Sequence, residues 1–121
     1  MVFRKKIKMT INIDIYGWLL TMNVVRKGTT MSRMLCVINK ESNSITICDI
    51  ICRRNNYGYG SLMMKEIIKY SHQNNISYLD GCLPNIDYDH RNRLYHFYRK
   101  FGFEIVENKN DVSFADIKLI L

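Results

Sequence analysis

Near the start of the chain Ile7, Met9, Ile11, Ile13 and Ile15 are separated by Lys8, Thr10, Asn12 and Asp14. A period of two belongs to a β-strand with one buried face, so a half-buried strand is expected here. Residues 16–27 fit either a strand or a short helix. Residues 33–39 and 44–52 are two strand-like runs around the turn-prone Lys40-Glu41-Ser42-Asn43. They predict a β-hairpin whose second arm, apolar and β-branched, is a central strand.

The period then changes. Leu62, Met63, Met64, Ile67, Ile68 and Tyr70 recur at three- and four-residue intervals, which predicts an amphipathic helix over residues 61–73, ended by Asn74-Asn75. Residues 76–83 read as a buried strand, and the polar loop 84–89 leads to a second helix over residues 90–101. In that helix Asp89 is the expected N-cap, Leu94, Phe97, Tyr98 and Phe101 share a stripe, and Gly102 stands at the C′ position. Residues 103–107 and 112–121 are further strand-like runs around Asn108-Lys109-Asn110-Asp111. The order predicts an α+β domain built on a mixed sheet.

With 121 residues, of which 47% are apolar, the chain is expected to form one domain over residues 1–121. No run of eighteen apolar residues occurs, and Asn12 and Asp14 interrupt the apolar stretch after the basic start, so neither a membrane span nor a signal peptide is expected. The expected location is cytoplasmic. Cys36, Cys48, Cys52 and Cys82 lack zinc-site spacing, and three of them lie in apolar, strand-like runs where a free cysteine packs as a small buried hydrophobe. Neither metal nor catalytic spacing links His72, His90 and His96. The net charge of +7 predicts attraction to anions, including nucleic acid, a phosphorylated cofactor or an acidic protein surface.

The strongest chemical signal runs from Ile50 to Ser61, where a buried strand delivers Gly58-Tyr59-Gly60 into a helix N-terminus. The first N–H groups of a helix lack internal partners, the helix dipole is positive there, and glycines let an anion approach the backbone. Arg53 and Arg54 add charge beside that turn, and Tyr57 and Tyr59 can cover the pocket or the core.

Downstream, in the same order along the chain, stands Leu94-Tyr95-His96-Phe97-Tyr98-Arg99-Lys100-Phe101-Gly102-Phe103-Glu104. Together the two segments resemble the GNAT superfamily of N-acetyltransferases over residues 45–105, the ending Tyr-Arg-Lys-Phe-Gly-Phe being similar to that family's Tyr-x-Lys-x-Gly-Phe. The resemblance implies a mixed, mainly antiparallel central sheet with helices on its faces, the GNAT-like acyl-CoA N-acyltransferase fold. Acetyl-CoA is then the acetyl donor, attacked directly by an amine without metal or covalent intermediate.

By the same resemblance Asn55, Asn56, Tyr57, Gly58, Tyr59, Gly60 and Ser61 hold the pyrophosphate, with Asn55 where the family has Arg or Gln. Ile50, Ile51 and Cys52 match the splayed strand whose backbone pairs with the pantetheine arm. Arg91 stands at a cofactor-side position where the family often carries Asn. Tyr98 matches the tyrosine that protonates the departing thiolate, a role suited to a phenol of pKa ~10. Asp80, and after it Asp49, are the candidate bases for an amine that must lose a proton before it attacks.

The family fold usually has two helices between its first two strands that wall the acceptor site. This chain offers at most one short helix there, which favours a protein acceptor, a lysine or an N-terminus. The departures at Asn55 and Arg91 leave a second reading, a catalytically inactive GNAT-like basic module that binds nucleic acid or a protein partner.

Overall fold

The computed structural model describes residues 9–53 and 58–121. Seven strands form one sheet in the order β1-β2-β3-β4-β5-β7-β6. They are β1 (Met9–Tyr16), β2 (Leu19–Arg26), β3 (Thr29–Asn39), β4 (Ser44–Cys52), β5 (Tyr78–Pro84), β6 (Glu104–Glu107) and β7 (Ser113–Ile120). Helix α1 (Tyr59–Gln73) joins β4 to β5, and α2 (Arg91–Lys100) precedes β6. Residues 16–27, which fitted either element, contain β2, and a tight turn through Gly17, at φ +60°, joins it to β1. No helix stands between these two strands.

Side-chain alternation decides which face of the sheet is covered. Leu20, Met22, Val24, Met34, Cys36, Ile45 and Leu79 have no exposed surface. They interleave with the half-buried or exposed Thr21, Asn23, Arg33, Thr46 and Asp80. Met63, Met64 and Ile67, spaced so that they share one face of α1, are fully buried in the same core. Both helices lie on this face, because α1 packs on β2, β3 and β4, whereas Gly102, just after α2, sits against Leu119. The opposite face carries no helix among the described residues.

Helix α2 ends as expected and starts differently. Gly102 adopts φ +91°. Its N–H donates to Arg99 O at 3.0 Å, and Phe103 N–H donates to Tyr98 O at 3.1 Å, a Schellman closure that fixes the last turn. The Phe103 and Tyr98 rings meet at 5.5 Å, the apolar contact that usually accompanies this closure. At the other end Asp89 does not cap the helix. Residues 85–90 already form a 3-10 turn that continues into α2, so the Arg91 N–H finds its partner in Tyr88 O and a side-chain cap is not required.

Among the described residues no helix is long and apolar enough to cross a membrane.

Candidate active site

One pair of neighbours in the sheet is parallel. Strands β4 and β5 pair from Ser44↔Tyr78 to Ile47↔Gly81 and no further, although β4 runs on to Cys52. Parallel strands need a long crossover, here supplied by α1. On its other side β4 stays bonded to β3, with a register shift that sets Leu35 opposite Asp49 and Cys36 opposite Ile47. Cys48 is therefore the extra residue of a β-bulge, a feature that bends a strand and increases its twist. Beyond the bulge, the edge of β4 facing β5 has no ladder partner among the described residues.

Gly81 sits where the two strands still touch. A Cβ placed on it would lie 2.8 Å from Ile47 O, so only glycine allows this approach. Gly81→Ala should force the strands apart and cost roughly 1–3 kcal/mol, as overpacking does. Urea unfolding checks it, and an unchanged midpoint would contradict the close-approach reading.

The separation opens a cavity of about 430 Å³. Its lining runs from Ile47, Asp49 and Ile50 on β4 past Gly60 at the start of α1 to Phe97 and Tyr98 on α2. Gly58 has φ +73° and Leu62 N–H donates to its carbonyl at 3.0 Å, which makes it the residue that starts α1. No side chain caps that end, and no acidic residue stands in its first turn. Lys100 Nζ donates to Ser61 Oγ at 3.0 Å, which brings a cation beside the positive end of the helix dipole. Burial pushes the Cys52 thiol up, against a hydrogen bond from the Gly60 backbone that ties the end of β4 to the start of α1.

Tyr98 is 7% exposed, lines the cavity, and is held by the Phe97 and Phe103 rings. Burial, with Asp87, Cys36 and Asp49 adding negative charge nearby, pushes its hydroxyl up from 10.0 to about 12. At neutral pH the phenol keeps its proton. Cys36 is pushed by burial from 9.0 to about 12. Both groups are uncharged when protonated, and folding raises the pKa of each. The stability they contribute is thus complete below pH 9 and is lost as the pH rises to about 12. The melting temperature should fall across that window, and less steeply in Tyr98→Phe; equal slopes would contradict the burial of this hydroxyl.

The other candidates fall in different places. Gly58, Tyr59, Gly60 and Ser61 open α1, and Tyr59 is buried in the core. Asn55, Asn56 and Tyr57, with Arg54, lie outside the described residues. In β4, Ile50 and Cys52 line the cavity, whereas Ile51 is 52% exposed. Asp80 accepts a 2.6 Å hydrogen bond from Thr46 Oγ1 and stands opposite Lys118 on the open face, outside the cavity lining; Asp49 is in that lining. Arg91 does not line the cavity. Its guanidinium lies 4.2 Å from the Tyr88 ring centroid and donates to Tyr88 O at 3.2 Å.

Sequence reasoning missed Asp87, His90 and Arg93, all of which line the cavity. The loop 84–89 carried no periodic signal that would aim Asp87 inward. The expectation of buried cysteines holds for Cys36, but Cys52 is half-buried and Cys48 and Cys82 are exposed. The strands carry the apolar pattern of a core, yet the splay replaces core with cavity at this point.

No protein-family model matches the chain. Over 65 residues it is 36% identical to the uncharacterized protein YocC of Bacillus subtilis (strain 168), a match that takes in 54% of this chain and 39% of that protein, so less than half of that relative's length is spanned. Among solved structures, the PaiA N-acetyltransferase of Thermoplasma acidophilum, in complex with coenzyme A, is similar at a TM-score of 0.70 and 13% identity, over 85% of this chain and 61% of that one. A GNAT family acetyltransferase from Elizabethkingia anophelis, with acetyl-CoA bound, is similar at a TM-score of 0.71 and 14% identity, over 93% of this chain and 98% of that one. With its mixed seven-stranded sheet, its two helices and these neighbours, the chain has the GNAT acyl-CoA N-acyltransferase fold.

Proposed function

We propose that the protein is an acetyl-CoA-dependent N-acetyltransferase acting in one 1–121 domain. The observation that carries this reading is the parallel pair β4/β5, which parts after Ile47 and Gly81 around a cavity with a glycine turn at one end and a protonated tyrosine in its wall. The free edge of β4 offers backbone donors and acceptors to an extended ligand that carries amides, as the pantetheine arm does. Ile50, Ile51 and Cys52 supply that edge. Gly58, Gly60 and Ser61, with Lys100, hold the pyrophosphate at the start of α1, where added Cβ atoms at the two glycines would meet nothing but the Phe97 ring. Bound there, acetyl-CoA supplies an activated acetyl thioester.

The protein's own groups move the protons. Tyr98 keeps its proton at neutral pH and gives it to the departing sulfur. Asp49, in the cavity wall, takes the proton from the acceptor ammonium so that a free amine can attack. Asp80, held by Thr46 on the open face, is the second carboxylate within reach of an acceptor arriving from that side. Because a tight turn joins β1 to β2, that side is unwalled, which suits a lysine or N-terminus of a protein.

The test is incubation of the purified chain with carbon-13 acetyl-CoA and a library of folded and unstructured polypeptides. Labelled acetyl groups on amines, with matching release of free thiol, are expected. Binding of acetyl-CoA without transfer to any amine would favour the inactive-module reading instead.

A further inference from the structure

Cys48 and Cys82 occupy equivalent places on the two strands that part. Each follows the last paired residue of its strand, Cys48 after Ile47 and Cys82 after Gly81. Both are free and exposed, and both line the cavity. Paired strands lie roughly 4.8 Å apart, and a disulfide spans Cα separations of about 4.4–6.8 Å, so two residues one step beyond a paired position start within reach of one another. Their side chains share a face as well. Cys82 alternates with Asp80, which is bonded to Thr46, and Cys48 lies two residues beyond Thr46. Cys82 also lies close enough to Cys48 to be, after burial, the next influence that pushes the Cys48 thiol up.

We propose that Cys48 and Cys82 form a reversible disulfide that staples the mouth of the splay, making the acetyl-CoA cavity a site of redox modification. The oxidant is a low-molecular-weight aliphatic disulfide. The Cys82 thiolate attacks one of its sulfurs, forming a mixed disulfide and releasing one thiolate, which takes up a proton. The Cys48 thiolate then attacks the Cys82 sulfur and expels the second thiol. Two protein thiols are oxidised to one S–S bond, and one small disulfide is reduced to two thiols. Burial pushes the Cys48 thiol up, which lowers its thiolate fraction at neutral pH. The staple joins β4 to β5 where the proposed pantetheine site begins, so the extended arm cannot enter.

The gating of the cavity rests on the acetyl-CoA reading, whereas the thiol chemistry does not. The full chain is treated with glutathione disulfide, its remaining thiols are blocked with N-ethylmaleimide, and its peptides are mapped by mass spectrometry. Acetyl-CoA affinity is measured in parallel. A Cys48–Cys82 linked peptide, lighter than its parts by two hydrogens, is expected, with loss of acetyl-CoA binding that dithiothreitol restores. Acetyl-CoA present beforehand should prevent the link. In Cys48→Ser and Cys82→Ser, tested separately, the linked peptide should be absent, and Cys48→Ser should hold the unresolved mixed disulfide on Cys82 instead. Mixed disulfides alone, or a link through Cys36 or Cys52, overturn the pairing. A Cys48–Cys82 link that leaves affinity unchanged overturns the gating. If the reduced protein binds no acetyl-CoA, the functional reading fails, while the linked peptide still decides the pairing.

Discussion

Tyr98→Phe should slow acetyl transfer by about 10²- to 10⁴-fold while acetyl-CoA affinity stays close to that of the parent chain. The ring is held by Phe97 and Phe103 and keeps those contacts in the variant. Only the hydroxyl is lost, and with it the proton held at neutral pH by a group whose pKa stands near 12. A merely structural tyrosine would change the melting temperature and leave the turnover per folded molecule unaltered. Steady-state rates on an acceptor that the parent modifies, read beside the dissociation constant, separate the two roles. Undiminished turnover in the variant would remove Tyr98 from the proton path.

Gly60→Leu should abolish acetyl-CoA binding in a protein that still folds. Gly60 is the second residue of α1 and its φ is not positive, so leucine can take its backbone conformation without strain. Its Cβ would meet the Phe97 ring at 3.5 Å, an ordinary contact, but the rest of a leucine side chain grows into the cavity that Gly60 lines. Gly58 is a poorer choice, because its φ of +73° would strain any other residue and confuse loss of binding with loss of fold. Thermal melting is the assay. Acetyl-CoA at a hundred times its dissociation constant should stabilise the parent by about 2.7 kcal/mol and the variant not at all. An equal shift in both would remove the phosphate cradle from the start of α1.

Periodicity made most of the fold legible, because burial imposes it. The alternation in β1, the hairpin β3/β4 and the three- and four-residue spacing of α1 each reflect one covered face. Strand β2 was ambiguous since Leu19 and Val25, on the uncovered side, blur the alternation of Leu20, Met22 and Val24. The turns that start α1 and end α2 were legible because backbone requirements leave a mark on sequence, as at Gly58 and Gly102. The site was not legible where three-dimensional divergence decides. Nothing local says that β4 and β5 part after Gly81, so Cys48 and Cys82 looked like core and Gly81 like any glycine. Arg91 and Arg93 differ by roughly 200° around the helix axis, and it is Arg93 that lines the cavity. Tyr95, which donates to Glu107 at 3.1 Å and packs on Phe114, was hidden by the more apolar Leu94 and Phe97 beside it.

The central claim is that the parting of β4 from β5 is the place where acetyl-CoA binds, and amide chemical-shift mapping of the nitrogen-15 labelled chain tests it most directly. On titration with acetyl-CoA, the amides of Ile50, Ile51, Cys52, Gly58, Gly60 and Tyr98 should move together and saturate at one concentration. Those of β1 and β2 should stay in place. A saturating set of shifts confined to β1 and β2, or a spectrum that acetyl-CoA leaves unchanged, would contradict it.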